Sequence, residues 1–181
     1  MTKDSNFLND DILPPVRSTF LTVLCVLTFI GSAYGIYQGV TTLVSSGKMS
    51  EMMKNTVNNE KQAEQRKQME AKNDKGSKFG LKMMDSVKEM SDEKKLKQAG
   101  VVAIIGNLLT LGGAILMWRL NRVGFFVYLA GIVTWVGAPI VIYGPGAFLP
   151  MVVAAFSFFV GLLFVILYAM NLKDMRNTQV S

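Results

Sequence analysis

Apolar positions fall into long uninterrupted blocks. No charged side chain occurs over residues 18–47, none over 98–118 and none over 123–172. A helix rises 1.5 Å per residue, so about 20 apolar residues cross a hydrocarbon core ~30 Å thick. The blocks therefore predict four transmembrane spans, at residues 18–47, 98–118, 123–143 and 147–172. The first is long enough to tilt, and the second is close to the minimum. Arg119-Leu-Asn-Arg122 reads as a tight basic turn, and Tyr143-Gly-Pro-Gly146 as a charge-free one. Pro139 is expected to kink the last turns of the third span. Pro14 and Pro15 can precede a helix but not sit inside one, and Ser18 or Thr19 can cap the helix that follows. Residues 1–17 and 173–181 read as polar tails.

Between the first two spans lies a polar stretch, residues 48–97, with 13 of the 19 basic residues and 9 of the 13 acidic ones. It is rich in Lys, Glu, Gln and Met, which favour helix. Asn73-Asp-Lys-Gly-Ser77 reads as a turn that divides it into two segments. Glu51/Lys54, Glu64/Lys67, Asp85/Lys88 and Asp92/Lys95 are opposite charges three apart, and Glu93/Lys97 are four apart, spacings that support exposed helix. Phe79, Met83, Val87 and Met90 share one helical face, and Met49, Met53 and Val57 make a weaker stripe. The expected fold is all-α: a polytopic membrane protein with a four-helix transmembrane bundle and an extramembrane helical hairpin between spans 1 and 2. That hairpin is expected to continue both spans outward.

Small residues carry the packing signal. Gly31, Gly35 and Gly39 lie on one face of the first span. Ala99, Gly106 and Gly113 recur every seven residues in the second span, Gly124, Gly131 and Ala138 in the third, and Ala154 and Gly161 in the fourth. Lipid supplies no hydrophobic force between helices, so close backbone approach along such seams is what holds them together. The first-span glycines can pack inside one chain or against another copy or subunit.

Composition narrows the chemistry. The chain has no His and a single Cys. That removes the commonest general base and metal ligand, and any internal disulfide. No charged residue lies within a span, whereas proton relays and ion-coupled transporters usually need one. Asn107 stands near the middle of the second span. It reads as an interhelical hydrogen-bonding residue, with a lining role in a substrate path as the alternative. Cys25 reads as a small apolar filler. Trp118 reads as an interfacial anchor and Trp135 as a packed residue. Seven of the twelve Met lie in the polar stretch, where thioethers suit Cu(I), although an adaptable apolar face is the plainer reading. Lys94, Lys95 and Lys97, with Arg119 and Arg122, are placed to meet lipid headgroups. The net charge of +6 thus reads as topology rather than nucleic-acid binding. Acidic residues Asp4, Asp10 and Asp11 and an apolar run continuing to Val44 argue against a cleaved signal peptide.

Arg17-Ser-Thr-Phe-Leu-Thr-Val-Leu-Cys-Val-Leu-Thr-Phe-Ile-Gly-Ser resembles the first span of small four-span inner-membrane proteins of Bacteroidetes bacteria. Met117-Trp-Arg-Leu-Asn-Arg-Val-Gly-Phe-Phe-Val-Tyr and Leu167-Tyr-Ala-Met-Asn-Leu-Lys-Asp-Met are similar to their later spans. Those proteins carry no assigned activity, so the resemblance implies a bacterial inner membrane and no chemistry. It covers the spans and not the polar arm.

Sidedness is divided. A plain count of basic residues places the arm in the cytoplasm, whereas the short turns place the termini there, because residues 119–122 are basic and 143–146 uncharged. The resemblance implies termini inside and arm in the periplasm. The expected function is a non-enzymatic interaction protein without a cofactor. It would be a small subunit or assembly factor of an envelope complex, with Phe79, Met83, Val87 and Met90 as partner contacts. A homo-oligomeric pore around the first-span glycines and Asn107 is the alternative, and copper handling by the Met-rich arm the third reading.

Overall fold

A computed structural model describes residues 18–57, 59–72 and 74–172. The expected polar tails, with Arg17, Lys173 and Arg176, lie outside the described residues. Six helices follow in order: α1 (Thr19–Val57), α2 (Glu60–Lys72), α3 (Lys75–Met90), α4 (Glu93–Trp118), α5 (Val123–Tyr143) and α6 (Phe148–Met170). α1, α4, α5 and α6 are long and apolar enough to cross a membrane. The chain is therefore an all-helical, multi-pass membrane protein. Ser18 caps α1: its Oγ accepts from Leu21 N at 3.1 Å. α5 runs through Pro139 to Tyr143 without a break.

α4 is the central helix, packed most extensively against α1 on one side and α5 on the other. Its seam with α5 is antiparallel and built from glycines in register. A methyl group on Gly113 would stand 2.5 Å from Tyr128 N and 2.8 Å from Gly124 O. One on Gly131 would stand 3.0 Å from Gly106 O. The turn between these helices is sharp because Leu120 adopts a left-handed φ of 59° and Asn121 N returns to Leu116 O at 3.0 Å. Leucine rarely takes this conformation. The Asn121 side chain then accepts from Val123 N at 2.9 Å and starts α5.

α1 meets α4 along a second antiparallel seam. Gly39 faces Gly100, and a methyl group on Gly100 would lie 3.0 Å from Gly39 O. Further along, Ser32 Oγ and Thr110 Oγ1 share a hydrogen bond of 3.0 Å. Cys25 is fully buried, with its Sγ 3.7 Å from Ala114 O. Outside the apolar region Ser50 Oγ donates to Ser91 O at 2.5 Å.

The apolar core sits toward the end of the bundle that holds the 119–122 turn. Leu21, Leu24, Cys25, Met117, Tyr128 and Tyr168 are buried together there. α6 joins α1 at this end through Thr28 Oγ1 and Tyr168 Oη, 2.8 Å apart, and through Ser18 Oγ donating to Asn171 Oδ1 at 3.0 Å. The rings of Tyr128 and Tyr168 meet edge to face at 5.0 Å.

At the opposite end the polar stretch departs from two limbs continuous with the spans. α1 does continue outward to Val57, but the returning limb ends at Ser91, where Asp92 accepts from Lys94 N at 2.8 Å and starts α4 afresh. α3 begins at a capped turn, with Asp74 Oδ1 accepting from Ser77 N at 2.7 Å. It then folds onto the start of α6: Phe79 meets Phe148 edge to face at 5.2 Å, and Leu149 N donates to Ser86 Oγ at 3.3 Å. The cause lies in α3 itself, whose apolar side chains gather on one face that α6 partly covers. α2 lies beside α3, linked by Arg66–Asp85 at 3.0 Å and by Met69 Sδ against Gly80.

Candidate functional site: the cleft around Asn107

Two cavities meet inside the bundle. One, of about 420 Å³, lies between α1, α4 and α5 in the half nearest the arm, and its walls include Gly35, Gly39, Gly100, Ala138 and Tyr143. No α6 residue lines it. The other, of about 320 Å³, lies further from the arm, where α6 contributes Phe156, Ser157, Val160, Gly161 and Phe164. Gly31, Asn107 and Trp135 line both.

The cleft follows from two packing facts. Glycines at Gly35, Gly39 and Gly100 remove the side chains that would fill the angle between α1 and α4. α6 does not cover that angle: among the described residues its side-chain hydrogen bonds to α1 lie at its far end, through Thr28, Ser18, Tyr168 and Asn171. Its near end is drawn instead toward α3 through Phe148 and Leu149.

Asn107 is the polar group at the meeting point and is only 7% exposed. Its Nδ2 donates to Ala103 O of its own helix at 2.7 Å. Among the described residues the interhelical hydrogen bond expected of it does not form. Its carboxamide rests on Gly35 instead, and any side chain at that position would overlap it. Thr110 Oγ1 also takes the backbone carbonyl of Asn107 at 3.0 Å. Beside it, the Cδ1–Nε1 edge of Trp135 lies against Gly106: a methyl group there would be 2.8 Å from Cδ1 and 3.4 Å from Nε1. Trp135 is half-buried and faces both cavities.

The other sequence-derived residues distribute as follows. Gly35, Gly39, Gly106, Gly113, Gly124, Gly131 and Gly161 all sit at close contacts within the chain, Gly161 against Ile132 of α5. Gly31 does not: a methyl group there would meet nothing within 4 Å, and the residue borders the cleft. Gly100 makes one of the tightest α1–α4 contacts, yet it stands off the seven-residue spacing. The cue in the sequence is its position one residue past Ala99, on the face turned to α1 rather than α5.

Of the arm residues, Val87 and Met90 are half-buried, while Phe79 and Met83 are exposed. Among the basic residues, Lys97 pairs with Glu93 at 2.7 Å, and Lys95 Nζ stands 5.8 Å from the ring centre of Tyr143 at the mouth of the cleft. Lys94 and Arg119 are exposed, and Arg122 is half-buried. Asp85, read as a partner of Lys88, lies against Arg66 of α2. Trp118 packs on Phe29 at 5.7 Å.

Comparison with known proteins finds no family model, no curated protein and no solved structure that matches this chain.

Proposed function

We propose that the chain is a non-catalytic membrane interaction protein, a small subunit or assembly factor of a larger envelope complex. The helical hairpin of α2 and α3, with the outer end of α1, is its partner-contacting arm. The observation behind this reading is apolar exposure outside the apolar spans. Met52 is 71% exposed and Phe79 52% exposed, and Met49 and Met83 are also open. Exposed Val or Phe within a span faces lipid; on the charged arm the same exposure calls for a protein partner.

The test is purification of the tagged chain from native membranes in mild detergent, read by mass spectrometry. Foreign subunits at stoichiometric yield, lost when Met52 and Phe79 are both replaced by Ser, are the expected result. A species made only of copies of this chain overturns the proposal. The pore alternative draws less support, because Gly35 and Gly39 are covered by α4 of the same chain. Copper handling rests on methionine content alone.

We place the chain in a bacterial inner membrane with its termini in the cytoplasm and its arm in the periplasm. The basic 119–122 turn, the uncharged 143–146 turn and the resemblance of the spans support this placement. In this arrangement Arg119 and Arg122 meet one leaflet's headgroups, and Lys94, Lys95 and Lys97 the other's. Lys67 is exposed on α2. In a Cys25→Ser background, Lys67→Cys should react with an impermeant maleimide in intact spheroplasts. Reaction only after lysis reverses the orientation.

A further inference from the structure

We infer that the cleft around Asn107 is a binding site for a neutral lipid alcohol, with the hydroxyl held at mid-membrane depth and the tail lying along the α1–α4–α5 groove. The argument begins with unpaired polar atoms. The Asn107 carboxamide has two N–H donors and an oxygen that accepts up to two hydrogen bonds. One N–H goes to Ala103 O. Among the described residues the second N–H and Oδ1 have no partner, although the residue is 7% exposed. The Trp135 indole N–H, which faces the same space, likewise has no acceptor among the described residues. Such groups are costly in hydrocarbon unless something satisfies them.

A hydroxyl is the smallest group that satisfies both kinds of atom at once, since it donates to Asn107 Oδ1 and accepts from Trp135 Nε1–H or Asn107 Nδ2–H. A bare carbonyl or an ether leaves Oδ1 unpaired. A charged head is disfavoured at this depth, because none of the residues lining either cavity is ionised. The rest of the lining is mainly Gly, Ala, Val, Ile, Phe and aromatic ring surface, and of its polar side chains Thr28, Ser32, Thr110 and Gln38 already hydrogen-bond within the chain, which suits an alkyl or isoprenoid chain. Cavities of about 420 and 320 Å³ fall within the size range of small-molecule sites. Such a tail can enter sideways from the bilayer, because no α6 residue closes the half of the cleft nearest the arm. The inference is independent of the arm's proposed partner, since none of its atoms lies outside the spans.

The test uses the full chain in lipid nanodiscs with Trp118→Phe, which leaves Trp135 as the sole indole. A brominated oleyl alcohol, which quenches indole fluorescence at contact, is titrated against its methyl ether, which keeps the tail and loses the donor. Saturable quenching by the alcohol is expected, with affinity about 10-fold weaker for the ether, the loss of roughly one net hydrogen bond. Asn107→Leu should weaken the alcohol by a similar factor and leave the ether unchanged. Equal affinities for alcohol and ether, or quenching that rises linearly without saturation, overturn the inference. That comparison needs only the native site, so it holds even where Asn107→Leu fails to fold. Competition then identifies the source: displacement by dioleoylglycerol marks a glycerolipid, and displacement by geranylgeraniol an isoprenoid. Displacement by neither overturns the claim that a membrane alcohol occupies the site.

Discussion

The two halves of the bundle are held by different physics. Toward the 119–122 turn, four helices close around Leu21, Cys25, Met117, Tyr128 and Tyr168, and α6 is tied to α1 by side-chain hydrogen bonds. Toward the arm, α1 and α4 approach through Gly35, Gly39 and Gly100, no α6 residue lines the space beside them, and a cleft remains. The difference shows that close backbone contact and a filled interior are separate achievements. Glycine brings two helix axes together but contributes no side chain to the space beside them. Large side chains fill that space but hold the axes apart. Toward the 119–122 turn this chain uses both, with Gly113 and Gly124 beside Met117 and Tyr128, whereas toward the arm it uses glycine without the filling, and Asn107 and Trp135 line both cavities.

The sharpest way to break the contrast is to load the glycine seam. Gly113→Leu should give the largest effect, because the atoms it meets, Tyr128 N and Gly124 O, are backbone and cannot rotate aside. A loss of about 1–3 kcal/mol or more is expected, measured as an earlier unfolding midpoint in mixed micelles. Gly112→Leu, one residue away with nothing within 4 Å of its added carbon, is the matched control and should leave that midpoint unchanged. Equal losses in the two would show that added bulk anywhere on this helix, not the seam contact, governs this region, since Leu is a better helix former than Gly.

A smaller effect is expected from the hydrogen bond that ties α6 to α1. Tyr168→Phe removes the 2.8 Å hydrogen bond to Thr28 and keeps the ring against Tyr128. Polar pairs between membrane helices contribute about 0.6 kcal/mol, up to about 1.7. The same unfolding measurement should register a loss of this order. If Tyr168→Phe instead costs as much as Gly113→Leu, the tie between α1 and α6 is no minor attachment, and the contrast fails.

The smallest effect concerns the hold of α3 on the open end. Asp74 caps α3, and its hydrogen bonds with Ser77 keep its carboxyl below the usual aspartate range. A depressed value in the folded state means that the cap's contribution is full above the ordinary value of about 3.9. It is lost as pH falls through the lowered one. Amide hydrogen exchange at the start of α3 should therefore accelerate on acidification in the native chain, relative to the intrinsic rate. In Asp74→Ala it should be fast throughout. Exchange that ignores both changes would show that packing against neighbouring helices, not the cap, orders the start of α3.

Much of this architecture was readable from residue order. Three uncharged blocks, the last divided by the turn at residues 143–146, specify four membrane-length helices, because hydrocarbon leaves a helix as the only way for such a segment to satisfy its backbone. The seven-residue spacing of Gly106 and Gly113 with Gly124 and Gly131 marks surfaces able to approach closely. The Asn73–Ser77 cluster marks the turn before α3. These are properties of a segment by itself.

What residue order did not contain is which surfaces would meet. Gly31 lies on the same face as Gly35 and Gly39, yet it borders empty space while they touch α4. Gly100 lies off the repeat, yet it packs tightly. Asn107 was an expected bridge between helices and bonds within its own. The polar arm reads as two limbs, but its second limb folds onto α6, because Phe79 and Ser86 find Phe148 and Leu149 there. The cleft lies beside glycines of α1 and α4, where α6, anchored at one end to α1 and at the other to α3, contributes no residue. That arrangement is a property of several helices together, so no single segment encodes it. The sequence alone determined which segments enter the membrane, through the cost of charge and unsatisfied backbone in hydrocarbon. The tertiary structure decided where the bundle closes and where it stays open, through the geometry of contacts between segments far apart in the chain.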